Sequence, residues 1–156
     1  MRVSFRLRHH RFNLNVFKVQ DLKGVHSLVK DDLHIPMWDF DDTTLEQIVH
    51  ELLIVQSAFG LSKIYILDSG RPRHFIAYCL KRFPIRRIIQ MVVATEGVCW
   101  FFLKFGILRE KFTLRISAKH GRIPKCIKVL DSHVPEDVTL DDLKHFVKYE
   151  ALDGEK

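Results

Sequence analysis

Two carboxylates separated by one residue, Asp39 and Asp41, close an apolar run that extends from His34 to Met37. If residues 35–41 form a strand, alternation puts both acids on one face, about 6–7 Å apart. At that spacing they can share one or two divalent cations through hard oxygen ligands, as Mg²⁺ prefers. The plainer role of Asp41 or Asp42 is to cap the helix announced by Thr43-Thr44. A second group of chemical interest is the turn Asp68-Ser69-Gly70-Arg71-Pro72-Arg73, which leads into His74. It combines a hydroxyl, a flexible glycine, two arginines and an imidazole, and backbone N–H groups with Arg and His donors suit phosphate oxygens. A third, basic stretch offers Arg115, Lys119 and Arg122 for phosphate or template contacts.

The surrounding pattern says which elements must position these groups. Val3, Phe5 and Leu7 alternate with polar residues, and Phe12, Leu14 and Val16 repeat the alternation, so a hairpin opens the chain. Leu22, Val25, Leu28 and Val29 have helical spacing and predict a short helix despite Gly24. The acidic strand over 34–41 follows. Leu45, Ile48, Val49, Leu52, Leu53 and Val55 then describe an amphipathic helix, with Thr43 or Thr44 as N-cap, Glu46 or Gln47 completing a capping box, and Gly60 as its stop. The Asp pair therefore sits at a strand's C-terminal end just before a helix, where open α/β layers place ligands. Residues 63–67 and 74–79 form a hairpin about the Ser-Gly turn. Pro84 opens a helix ending near Gly97. Residues 98–108 are apolar enough for a buried strand or a continuation into the core. Strands are predicted over 112–117 and 126–131, the latter ending in Asp131. Thr139 caps a last helix carrying Leu140, Leu143, Phe146 and Val147.

A length of 156 residues with 47% hydrophobic content and 12 Phe describes one globular domain with enough chain for a core. No apolar run approaches the ~20 residues that span a bilayer, and the charged N-terminus has no signal-peptide core. Cys79, Cys99 and Cys126 lie far apart, which argues against a disulfide framework or a structural zinc site and for a reduced, cytoplasmic protein without a membrane partner. The net charge of +6 gathers at residues 2–11, 71–87 and 109–128, while acids concentrate at 39–51 and 131–153. Basic surface flanking an acidic site fits a polyanionic partner, although solvated surface charge alone gives the same composition.

The order Asp39-Phe40-Asp41, a helix, a hairpin with Ser69-Gly70…His74 and a later strand ending in an acid resembles the archaeo-eukaryotic primase superfamily. Leu114-Arg115-Ile116-Ser117-Ala118-Lys119-His120-Gly121 is similar to a stretch of primase small subunits. The resemblance covers residues 34–131 and implies a single α+β domain, with an RRM-like mixed or antiparallel sheet and helices packed on it. It implies synthesis or extension of nucleic-acid chains from nucleoside triphosphates on a template, with Mg²⁺ or Mn²⁺. Asp39 and Asp41 would hold the metal ions and Asp131 would be the third carboxylate. His74 with Ser69, Gly70, Arg71 and Arg73 would address the triphosphate. A helicase or a large primase subunit would be the accompanying protein, since the chain has neither region.

Two rivals share these residues. Asp39-Phe40-Asp41-Asp42-Thr43 also resembles the first motif of haloacid dehalogenase-type phosphatases, in which the first Asp attacks phosphorus. That motif normally opens a longer Rossmann-like body, whereas 38 strand-rich residues precede it here. The other rival is a catalytically silent RRM-like nucleic-acid-binding protein.

Overall fold

The computed structural model describes residues 2–15, 19–119 and 121–151. It is an α+β domain whose strands all pair antiparallel. The central sheet contains β4 (Met37–Phe40), β5 (Ile64–Asp68), β6 (Phe75–Cys79) and β8 (Lys125–Leu130), in the order β4-β6-β5-β8. A second sheet places β3 (Val19–His26) between β7 (Thr113–Arg115) and β9 (His145–Ala151). Among the described residues, the hairpin β1 (Arg2–Leu7) and β2 (His10–Asn15) forms a separate two-stranded sheet.

Alternation along β4 divides the labour between the faces of the central sheet. Trp38 and Phe40, fully buried, join Ile66 and Ala77 on the face that shares a core with Ile48, Leu52 and Val55 of α1 (Leu45–Phe59) and Ile88, Met91 and Val92 of α2 (Ile85–Val93). The Trp38 indole donates to Thr95 Oγ1 at 3.0 Å, which satisfies the one polar atom that such burial would strand. Met37 and Asp39 point to the other face. The second sheet covers part of it, and an apolar cavity between the sheets is lined by Met37, Ile76, Tyr78, Val25, Leu114 and Leu143. The β4-α1-β5-β6-α2 order places β6 between β4 and β5 with helices on one face, as in the first part of an RRM-like sheet, but β8 lies beside β5 and not beside β4, where the last strand of such a sheet would pair.

The acidic strand and the helix after it form as their local signals dictate. Thr44 and Gln47 make a reciprocal capping box, and Gly60 ends α1 in the left-handed conformation at φ 63°. Three expectations are corrected. Residues 22–29 are not a helix, because Leu22 and Val25 belong to β3, the middle strand of its sheet. Gly24 is needed there because a Cβ would lie 2.3 Å from the Phe146 ring. The final helix is replaced by a 3-10 turn, Leu140–Asp142, which keeps the Thr139 cap through Asp142, and then by β9. Residues 98–108 are not a strand: Trp100–Leu108 is a separate helix, α3, which packs Phe102 and Leu103 against the core and leaves several other apolar side chains exposed.

Candidate active site

Asp39 pairs with Ile76 across β4 and β6, so the end of β4 meets the start of β6. This register carries Asp41, one residue past β4, to His74, one residue before β6. His74 Nδ1 lies 2.5 Å from Asp41 Oδ1. On the opposite edge of β4, the segment before α3 supplies the other wall. Val98 bridges Phe40, and Cys99 N–H donates to the Asp39 carbonyl at 2.7 Å.

The two carboxylates sit in different electrostatic states. Asp39 is half-buried, and that burial, followed by the nearby Asp41 charge, raises its pKa to about 6 against smaller opposing effects of His74, Arg115 and Arg71. Burial also works against the charge on Asp41, but hydrogen bonds from the Cys99 thiol and His74 outweigh it and hold this pKa below the usual value. Asp41 is thus the anion that is present first. Asp39 is the one that a cation would bring to full ionisation.

The turn after β5 uses three of its backbone N–H groups internally. Gly70 N–H donates to Asp68 Oδ1 at 2.7 Å, Ser69 N–H to the His74 carbonyl, and His74 N–H to the Arg71 carbonyl. These three N–H groups are therefore not turned toward a phosphate, and the side chains of the turn are its main donors. Gly70 matters sterically instead: its φ is 82° and a Cβ would come within 2.6 Å of Arg122 Cβ. Ser69 Oγ is buried without a hydrogen-bond partner.

Arginines tie this turn to the second sheet. Arg115 Nη2 donates to the Ser69 carbonyl at 2.9 Å, and its Nη1 reaches the carbonyls of Ser117 and Arg122. Arg122 Nη1 donates to the Gly70 carbonyl at 2.9 Å. Arg71, Arg115, Lys119 and Arg122 line one basic cavity of about 400 Å³. Arg73 is used otherwise. At φ 60° it turns back to bind Asp42 through both its carboxylate, at 3.0 Å, and its carbonyl, at 2.9 Å. It clamps the loop after β4 rather than facing the cavity.

Asp39, Asp41, Ser69, Gly70, Arg71, His74, Arg115, Lys119 and Arg122 are therefore gathered from three separate stretches of sequence. Asp131 is not among them. Ile64 pairs with Leu130 and Asp68 with Lys125, so β8 carries Asp131 toward the far end of the sheet, about 20 Å of strand away from the Asp68 end. It cannot share a cation with Asp39. Among the described residues no group of three or more His, Cys, Asp and Glu side chains is arranged to hold a metal. The sequence reading missed Cys99, whose only local signal is its place just before an apolar run. Comparison of the chain with protein-family models, curated proteins and solved structures gave no match.

Proposed function

We propose that the chain is a metal-dependent nucleotidyltransferase of the primase type, which initiates or extends a nucleic-acid chain on a template from nucleoside triphosphates. The observation that carries this reading is the joining of the Asp39–Asp41 pair to His74 and a four-residue basic cavity across the β4–β6 register. Anionic and cationic halves side by side suit a substrate that is a polyphosphate bound with a cation.

The residues fit one Mg²⁺ or Mn²⁺ ion better than two. Asp39 and Asp41 are its ligands, and charge at Asp39 is disfavoured until a cation offsets it. Remaining positions would fall to water and phosphate oxygens, as is usual for Mg²⁺. Such an ion polarises phosphoryl oxygens and supports displacement by a 3′-hydroxyl. The chain's own groups do the rest. His74 and Cys99 keep Asp41 ionised and fix its orientation, an outer-shell role. Arg71, Lys119 and Arg122 offset triphosphate charge. Arg115 holds the Ser69-Gly70 turn against the basic cavity. The proposal includes a cytoplasmic setting, which the unpaired Cys79, Cys99 and Cys126 favour. Among the described residues no helix is long and apolar enough to cross a membrane.

One observation favours a second reading. Without Asp131 the site has two carboxylates, and Arg115 adds positive charge near Asp39, as suits a silent nucleic-acid-binding domain. The phosphatase reading loses ground, since its Rossmann-like body needs parallel strands and this sheet is antiparallel. Primer extension separates the readings. With a primed template, Mn²⁺ and labelled nucleoside triphosphates, the protein should lengthen the primer. Asp39→Asn should reduce extension by about 100-fold or more, since even outer-shell changes can cost up to that in metal affinity. His74→Ala should raise the nucleotide concentration required. Absence of extension alongside intact single-strand binding would leave the silent reading standing.

A further inference from the structure

We propose that the outer face of α3 is a stacking platform for single-stranded nucleic acid, with Phe101, Phe105 and Arg109 as the groups that receive successive bases. A helix as apolar as Trp-Phe-Phe-Leu-Lys-Phe-Gly-Ile-Leu is ordinarily buried on all sides. Here only one side is seated. Phe102 packs on Phe112, and Gly106 lets the Phe112 ring approach to where a Cβ would lie 2.1 Å away. Beside and behind that seated stripe, Phe101 and Trp100 remain 64% and 65% exposed.

The exposed groups form an ordered row. Phe101 and Phe105, one helical turn apart, are stacked with centroids 6.5 Å apart and planes inclined by 20°. The Arg109 guanidinium continues the row 5.1 Å from the Phe105 ring centroid. Three flat π-groups at i, i+4 and i+8 offer bases the faces that sequence-tolerant single-strand binders use. The row ends at the candidate active site: one groove is lined by Asp39, Cys99, Phe101, Phe105, Arg109 and Lys111.

Charge selects the occupant. Lys104, Arg109 and Lys111 accompany the aromatic row, opposed locally by Glu110, and α3 itself contains no acid. Apolar burial against a second copy would bring these cations together, whereas a phosphate backbone would neutralise them. A duplex keeps its base faces stacked internally, so the occupant is single-stranded. The inference rests on the nucleotidyl-transfer reading for the strand's purpose, and its binding step requires neither metal nor nucleoside triphosphate.

Anisotropy of a labelled single-stranded oligonucleotide, titrated with the whole chain in the absence of metal, tests the platform. The single strand should bind at least about tenfold more tightly than a blunt duplex of equal length. Phe101→Ala with Phe105→Ala should weaken binding by about tenfold or more, given the usual contribution of base–aromatic stacking. The bulk-preserving pair Phe101→Leu with Phe105→Leu should do the same while melting like the wild type, and Phe101→Tyr should retain binding. Unchanged affinity in both double variants would overturn the proposal. So would a wild-type dimer, seen by sedimentation, that the Phe→Leu pair dissolves, because a second copy would then own the face. Asp39→Asn with Asp41→Asn should still bind the strand while losing extension. If the wild type extends no primer yet binds the strand, the transfer reading fails and the platform stands. If only the platform variants behave as wild type, the reverse holds.

Discussion

At pH 7 Asp39 carries its charge against its own partial burial and the Asp41 carboxylate, which together move its pKa from 3.8 to about 6. A folded-state pKa above the unfolded one means that the native state favours the proton, so ionisation costs stability as pH rises from about 4 to 6 and the full cost persists above that. The difference corresponds to roughly 2 kcal/mol after allowance for partial exposure. Asp39→Asn should therefore raise Tm of the metal-free protein at pH 7.5 by about 4–8 °C, and by little at pH 3.5, where the folded state is protonated and the unfolded state mostly so. Thermal melts in which the variant loses stability at neutral pH would refute the burial account. The same proton competes with a cation, so Mn²⁺ affinity should fall as pH drops through 6, and calorimetry at pH 5 and 7.5 would reveal it. A residue kept at a cost to stability is a marker of function. Its position was legible in sequence, because an Asp-x-Asp after an apolar run specifies a shared face. Cys99 was not, since its contact with Asp41 depends on Val98 bridging β4, a pairing between distant residues that no local pattern encodes.

Two glycines near the basic cavity separate local strain from tertiary contact. Gly70 and Gly121 both have positive φ, 82° and 76°, yet a Cβ at Gly121 meets nothing within 4 Å while one at Gly70 would strike Arg122. Gly121→Ala should cost only the left-handed strain, about 1 kcal/mol. Gly70→Ala should lower Tm further and weaken nucleoside triphosphate binding, because Arg122 must move from the cavity wall. Equal effects of the two substitutions in melts and nucleotide titrations would show that the Ser69-Gly70 turn and the 119–122 turn do not depend on each other. The elements that were readable from sequence carry their own stop and start signals: Thr44 with Gln47, Gly60, and the Ser69-Gly70 turn. Those misread are decided by distant partners. β3 has valine and leucine at helical intervals, and its strand state is fixed by β7 and β9, which lie about 90 and 120 residues further on. β9 follows a true cap at Thr139, but His145-Phe-Val-Lys-Tyr149 is rich in aromatic and branched residues that a sheet accommodates better. In such cases long-range pairing outweighs local propensity.

Across the whole molecule, Arg71, Arg115, Lys119 and Arg122 share one cavity, and Arg109 and Lys111 share a groove with Asp39. A net charge of +6 spread evenly would bind polyanions weakly and without geometry. Concentrated as it is, it should neutralise several phosphates at once and release their counterions. The logarithm of the affinity for a single strand should then fall linearly with the logarithm of salt concentration, with a slope near −0.7 for each neutralised phosphate. Lys119→Ala with Arg122→Ala should reduce that slope by about 1 to 2, because two cations leave the cavity. Phe101→Leu with Phe105→Leu should lower affinity at every salt concentration while leaving the slope unchanged, since stacking releases no ions. Arg115 is a poorer choice for this test: its guanidinium holds the carbonyls of Ser69, Ser117 and Arg122, and its removal would loosen the turns as well as remove charge. An affinity flat between low and moderate salt would mean that these cations are only a solvated surface. A steep slope that survives the Lys119/Arg122 pair would move the polyanion site to another basic cluster, with the β1–β2 hairpin, which carries Arg6, Arg8 and Arg11, the next to substitute.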